Sequence, residues 1–227
     1  MEEVKIIDIS HIRLRKIRNT LLQSYIVVPI IAICLITLVV YQFFVPTFMP
    51  DSVLDIICFV FLVILFIYCI LFLIAFYHFS LLTNTHVFRY IIYTCATTFI
   101  ITFITVFTGD NLTLAIILFG INWIINLYFY YRITSVMGMV TRLRHFILSF
   151  RIFLVLVVLL NIFYVYLEIT GFENVMVDMI TDTTTTIIVG LLSFGIGIAY
   201  LSSYIIFTIG IAKIQSVRVL NISKSFE

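Results

Sequence analysis

The sequence is short of nearly everything that a water-soluble enzyme uses. Charged residues make up 11% of its 227 positions, against about 25% in a soluble domain. No Asp, Glu, Lys, Arg or His stands in the middle of any of its six long apolar runs. Ion-coupled carriers and voltage sensors need ionisable groups at depth, so that absence weighs against both. It also removes paired intramembrane carboxylates and a histidine set for haem or a di-metal centre. The HExxH pattern and Gly-x-Ser-x-Gly are missing. The nearest approach to the latter, Leu192-Ser193-Phe194-Gly195, has no histidine at its depth, because His11, His78, His86 and His145 all fall at one end of the runs. The four cysteines, Cys34, Cys58, Cys69 and Cys95, lie inside apolar runs with no Cys-x-x-Cys pair. They read as small buried apolar residues rather than as a disulfide or metal framework. Catalytic, cofactor and metal residues are therefore expected to be none, and the chain is expected not to be an enzyme.

What is present is hydrocarbon. Hydrophobic residues are 63% of the chain, and its mean hydropathy is +1.25. A soluble core cannot absorb that excess over the usual ~45–50%, so lipid is the expected solvent. The apolar runs cover about 24–45, 53–78, 87–108, 112–131, 151–169 and 184–211. Each reaches the ~20 residues that a helix needs to cross ~30 Å of hydrocarbon. Strand-like alternation is absent, and backbone groups in lipid must be satisfied within the segment, so helices are required. The expected fold is all-α, a single six-helix membrane domain over 1–227.

The charges give this bundle two unlike ends. All thirteen Lys and Arg fall before the first run or after the second, fourth and sixth. With Glu2, Glu3, Asp8 and Glu227, that side has a balance of +9. The other side holds only acids, seven of them from Asp51 to Asp182. Short basic loops stay on the cytoplasmic side, so both termini are expected in the cytoplasm. The absence of organellar presequence features favours a bacterial inner membrane. Turns are expected on the acidic side at 46–51, which has two of the three prolines, at 108–111, and from Thr170 to about Asp182.

Two basic segments have helical apolar stripes. In residues 4–22 the stripe is Ile6, Ile7, Leu14, Ile17 and Leu21, with Arg15 and Arg18 elsewhere on the helix and Arg13 and Ile12 interrupting the separation. In residues 132–148, within a basic cytoplasmic loop over 132–150, it is Ile133, Val136, Met137, Val140 and Ile147, with Arg142 and Arg144. Such helices are expected to lie at the headgroups, where their arginines would dock lipid or a cytoplasmic partner. Nucleic acid is not an expected partner, since no binding fold for it is recognisable.

Inside the spans polarity is neutral. Thr94, Thr98, Thr102, Thr105 and Thr108 follow spacings that keep them on one helical face. Asn122 and Asn126 stand one turn apart in the fourth run, and Asn161 lies deep in the fifth. A lipid-exposed amide is costly, so these three are expected to face protein or water, bonding one another or lining a path. Gly190, Ser193 and Gly197 form one register of small residues in the sixth run, and Gly195, Ala199 and Ser203 another. Both would let helix backbones approach closely.

His11-Ile12-Arg13-Leu14-Arg15 resembles part of the N-terminal signature of the membrane subunit of twin-arginine protein translocases, which also has six spans. Leu14 stands where that signature has an acid, and the family's intramembrane acid has no counterpart here, so the chain is not assigned to it. The leading expectation is a homo-oligomeric channel or permease-like subunit with an Asn/Thr interior. The alternative is a membrane sensor or anchor that recruits a cytoplasmic effector through its basic face, as in signalling, toxin immunity or phage defence.

Overall fold

The computed structural model describes residues 6–44, 50–107, 112–170 and 183–220. The expected acidic-side turns at 46–49 and 108–111, the loop 171–182 and Thr108 lie outside these residues. The fold is all-α, with one small ribbon of strand. Strand β1 is Ile6–Asp8, followed by helices α1 Ile12–Phe44, α2 Asp51–Thr83, α3 Val87–Phe107, α4 Leu112–Thr141, α5 His145–Thr170 and α6 Thr183–Ala212, then strand β2 Ser216–Arg218. Among the described residues five helical stretches are long and apolar enough to cross a membrane: Ile12–Gln42, Val53–Thr83, Val87–Thr105, His145–Phe163 and Ile187–Ala212. That is the character of a multi-pass membrane protein. Helix α4, which carries the fourth apolar run, is not among the five.

Helix length explains much of the architecture. At 1.5 Å per residue the 33 residues of α1 or α2 extend roughly 50 Å, well beyond ~30 Å of hydrocarbon. Pro29 lies inside α1 and removes one rung of its hydrogen-bond ladder without ending it. Toward the basic end the helices project far enough to pack on one another as a soluble protein does. The residues with no exposed surface in this part of the chain concentrate there: Leu14 and Leu21 of α1, Phe79 of α2, Val87 of α3, and Met137 and Val140 of α4. In mid-helix the apolar side chains are instead exposed, as with Phe59 and Phe66 at about two-thirds. A hydrocarbon solvent requires that inversion.

Two elements differ from the sequence reading. The spacing predicts one amphipathic helix over 4–22. Instead Ile6–Asp8 is a strand, and the helix starts at Ile12 and runs unbroken into the first apolar run. Its stripe of Leu14, Ile17 and Leu21 is buried in protein, with α1 packed along α2. The segment 132–150 reads as a loop carrying a surface helix. Instead α4 continues to Thr141, Arg142 takes a left-handed conformation at φ 58°, and α5 begins at His145. Ile133, Met137 and Val140 are buried, whereas Ile147 is exposed, and α4 packs against β2. In both places neighbouring protein covers most of the apolar stripe, while Ile6 and Ile147 at its ends stay exposed.

A clasp closes the basic end. β1 pairs antiparallel with β2 in the register Ile6–Arg218, Ile7–Val217, Asp8–Ser216, and the Ile9 N–H extends it to the Gln215 carbonyl at 2.7 Å. The chain then runs past the α2–α3 turn. There Asn84 takes φ 51°, ψ 54°, and the N–H groups of Thr85 and Asn84 reach back to the Ser80 and Leu81 carbonyls, closing the helix in a Schellman arrangement. The Leu220 N–H donates to the Thr83 carbonyl at 3.0 Å, and Asn84 Nδ2 donates to the Leu220 carbonyl at 2.8 Å. Segments more than 130 residues apart in sequence thus share one backbone network. The chain divides into two compact units, Met1–Arg142 with Ile211–Glu227, and Leu143–Gly210; the clasp belongs wholly to the first.

Candidate functional site

The polar residues of α3 do not all act alike. Thr94 donates to the Tyr90 carbonyl at 2.9 Å and Thr105 to that of Ile101 at 2.8 Å, each within its own helix. Thr102 is exposed. Thr98 reaches α4, with its Oγ1 at 3.4 Å from Asn122 Oδ1 and 3.3 Å from Asn126 Oδ1. Asn126 is the hub. Its Nδ2 lies 2.8 Å from Asn122 Oδ1, 2.9 Å from the Asn122 carbonyl and 3.1 Å from Thr98 Oγ1. Two amide hydrogens serve two of these acceptors at a time, so the cluster is self-satisfying at Asn126 Nδ2.

The same helix pair has a second tie nearer its basic end. Arg132 Nη2 donates to the Tyr90 hydroxyl at 3.0 Å, and the guanidinium lies 5.4 Å from the centre of that ring. The Tyr90 hydroxyl holds the Arg132 guanidinium above its ordinary pKa. Tyr90 and Tyr93 both meet the Phe129 ring. No spacing in the sequence signals the Tyr90–Arg132 pair, which joins residues on two different helices.

The second unit has its own polar joint. Ser149 Oγ donates to the Ser203 carbonyl at 2.9 Å, Ser203 Oγ donates to the Ser149 carbonyl at 2.9 Å, and the two hydroxyl oxygens are 3.1 Å apart. Both serines are buried. Beside them the rings of Phe146 and Phe207 meet edge-on at 5.1 Å, and Gly210 faces the Phe146 ring. Of the two small-residue registers, Gly195, Ala199 and Ser203 includes contact with α5: Gly195 faces Leu159, and Ala199 is buried. Gly190 and Gly197 have open space where a side chain would stand, and Ser193 is exposed. Asn161 Nδ2 donates to the Val157 carbonyl of its own helix at 2.7 Å, on an exposed face. Ser149 falls in the segment read as a basic loop, so its packing role was hidden in the sequence.

At the basic ends the cations stand outward. Arg13, Arg15, Lys16, Arg142 and Arg144 are exposed, and among the described residues none of them has an ion-pair partner. Arg18 donates to the Asn19 side-chain oxygen from Nε and Nη2, at 3.3 and 3.1 Å. Among the described residues no three His, Cys, Asp or Glu side chains gather as they would around a metal ion. The arrangement offers neutral ties between helices and free positive charge at the basic ends. No protein family, curated protein or solved structure matches the chain.

Proposed function

We propose that this is a non-enzymatic anchor or sensor subunit of a bacterial inner membrane, crossing it six times with both termini in the cytoplasm, and that its basic face recruits a cytoplasmic effector. One observation carries the reading: the clasp and the buried core turn the basic ends of α1 to α4 into an ordered platform, from which Arg13, Arg15, Lys16 and Arg142 project without ion-pair partners among the described residues. Retaining thirteen basic residues on short loops needs no such platform. An ordered, cationic surface suits an acidic protein partner, through steering and complementarity of charge.

The reading has a direct test. A photo-crosslinker at Arg142 or Arg144 in the native host should capture one soluble protein with an acidic surface. Arg142→Glu with Arg144→Glu should abolish that adduct while leaving the membrane protein at its normal level. An adduct that survives charge reversal sinks the reading. Cysteine labelling that places Arg142 on the periplasmic side sinks the topology with it.

A second reading, a homo-oligomeric channel or permease-like subunit, has one specific support. The Asn122 amide nitrogen has no hydrogen-bond partner among the described residues, and a donor left in hydrocarbon is costly. Water in a path, or a neighbouring subunit, would satisfy it. Solute flux in reconstituted vesicles, lost in Asn122→Leu, would favour this alternative. The closure of Asn126 Nδ2 onto Thr98 and Asn122 makes helix-to-helix adhesion the simpler account of the cluster.

A further inference from the structure

An open groove of about 880 Å³ runs between the first turns of α1 and the last turns of α2, within the first unit. Its size is in the range of small-molecule pockets. Arg13 and Lys16 line it from α1, and His78 lines it from α2. Leu71, Ile74 and Leu81 form the apolar part of the wall. Arg13, Lys16 and Thr20 are spaced to share one face of α1, and Leu71, Ile74, His78 and Leu81 one face of α2. The floor includes Ile17 and Ala75, both buried.

The position of this groove matters more than its size. Arg13 and Lys16 precede the first apolar run, Leu71 and Ile74 belong to the second run, and His78 ends it. The groove therefore straddles the level at which hydrocarbon gives way to charge. Its cationic part meets the headgroup layer, and its apolar wall continues into the α2 stretch whose side chains lie exposed. Neither Arg13 nor Lys16 has an acidic partner among the described residues. Two free cations one helical turn apart, with apolar surface on one flank, complement a phosphodiester that carries acyl chains. A free phosphate would leave the apolar wall unused, and a neutral zwitterionic lipid would bring its own cation against Arg13.

We propose that this groove binds an anionic phospholipid of the surrounding bilayer, its headgroup phosphate held by Arg13 and Lys16 beside His78 and its chains lying along Ile74 and Leu71. The proposal rests on the membrane-spanning reading and assigns Arg13 and Lys16 to lipid, which leaves Arg15 and Arg142 as the cations of the platform that face an effector. Basic pockets between transmembrane helices hold anionic headgroups in this way, and a juxtamembrane cation contributes about 1 kcal/mol, so loss of both should weaken retention on the order of 30-fold.

The test uses the full chain in nanodiscs of phosphatidylcholine with 20 mol% phosphatidylglycerol as the probe lipid (about one lipid in five, chosen to keep the surface field moderate). Native mass spectrometry after release from the discs should find phosphatidylglycerol bound to the wild type. Arg13→Gln with Lys16→Gln should lose it roughly 30-fold. Arg142→Gln with Arg144→Gln removes the same charge elsewhere and should retain it. Ile74→Ser, which keeps both cations, should weaken retention without altering the helical circular dichroism. Inorganic phosphate added at millimolar level should fail to displace the lipid. Equal loss in the two charge-matched variants would show a general surface field and overturn the site, as would wild-type protein that retains phosphatidylcholine equally well. A wild type that fails to enter the discs would instead refute the membrane reading on which the proposal stands.

Discussion

Removing either hydroxyl of the Ser149–Ser203 pair should loosen the α5–α6 contact by a calculable amount, and removing both should cost the sum. Each hydroxyl has one hydrogen, and each directs it at the opposite backbone carbonyl at 2.9 Å. In this reciprocal arrangement both hydrogens go to the carbonyls, and the 3.1 Å approach of the two oxygens carries none. Ser149→Ala removes one donor from a buried site, and the Ser203 carbonyl keeps its helical partner, so the interhelical loss is that of one bond. Such bonds in membrane proteins are worth about 0.6 kcal/mol on average and up to about 1.7. Each single variant should therefore fall in that range, and the double variant should lie near their sum, about 1.2 to 3.4 kcal/mol. The coupling energy should stay below about 0.5 kcal/mol, the level expected of independent sites. The assay is reversible unfolding in bicelles, by steric trapping or mild denaturant, of the wild type, Ser149→Ala, Ser203→Ala and the double variant. A coupling above about 1 kcal/mol would mean that one hydroxyl donates to the other and would refute the reciprocal arrangement. Single variants within about 0.2 kcal/mol of wild type would refute the buried joint itself.

The same assay checks three further outcomes. Asn84→Ala should cost about 2–3 kcal/mol, since it loses the bond to Leu220 and puts in the left-handed region a residue without asparagine's polar side chain to ease it, whereas Asn84→Gly should lose only about 1 kcal/mol; equal costs would deny the role of φ 51°. At Gly210 an added Cβ would stand 3.1 Å from the Phe146 ring, so Gly210→Ala should destabilise by about 1 kcal/mol even after its gain in helix propensity. Gly190→Ala and Gly197→Ala meet open space and should be neutral or stabilising by up to about 1 kcal/mol; the reverse order would contradict the packing described. Asn126→Leu should weaken the α3–α4 pair by roughly 1–2 kcal/mol and Thr98→Val by roughly 0.6, because Asn126 is the hub and Thr98 one spoke; a larger effect at Thr98 would invert that assignment.

Much of the architecture was legible in residue order. Apolar runs of about twenty residues need no tertiary information to be read as helices, because backbone groups in lipid are satisfied locally or not at all. The five membrane-length helices overlap five of the six expected runs. Their basic-side ends were less legible. Hydropathy reports where hydrocarbon stops, whereas a helix stops where its hydrogen-bond ladder is capped, as at Asn84 and Arg142. α1 and α4 therefore extend about ten residues beyond their apolar runs. The candidate polar residues were partly legible. One-turn spacing placed Asn122 and Asn126 together, yet no pattern within α3 singles out Thr98 from its neighbours.

Composition, on its own, determined a helical membrane chain, and the order of charges set basic and acidic stretches in alternation between its apolar runs, since solvent preference and helix length are properties of each segment taken alone. Only tertiary structure decided that Leu14, Ile17 and Leu21 in one amphipathic stripe, and Ile133, Met137 and Val140 in the other, are buried in protein. An apolar stripe can be covered equally well by lipid or by protein, and the choice depends on what the rest of the chain brings to it. Here β2 returns from the far end of the sequence to pair with β1 and pack on α4. The long-range backbone bonds of that clasp exist only once those distant segments meet.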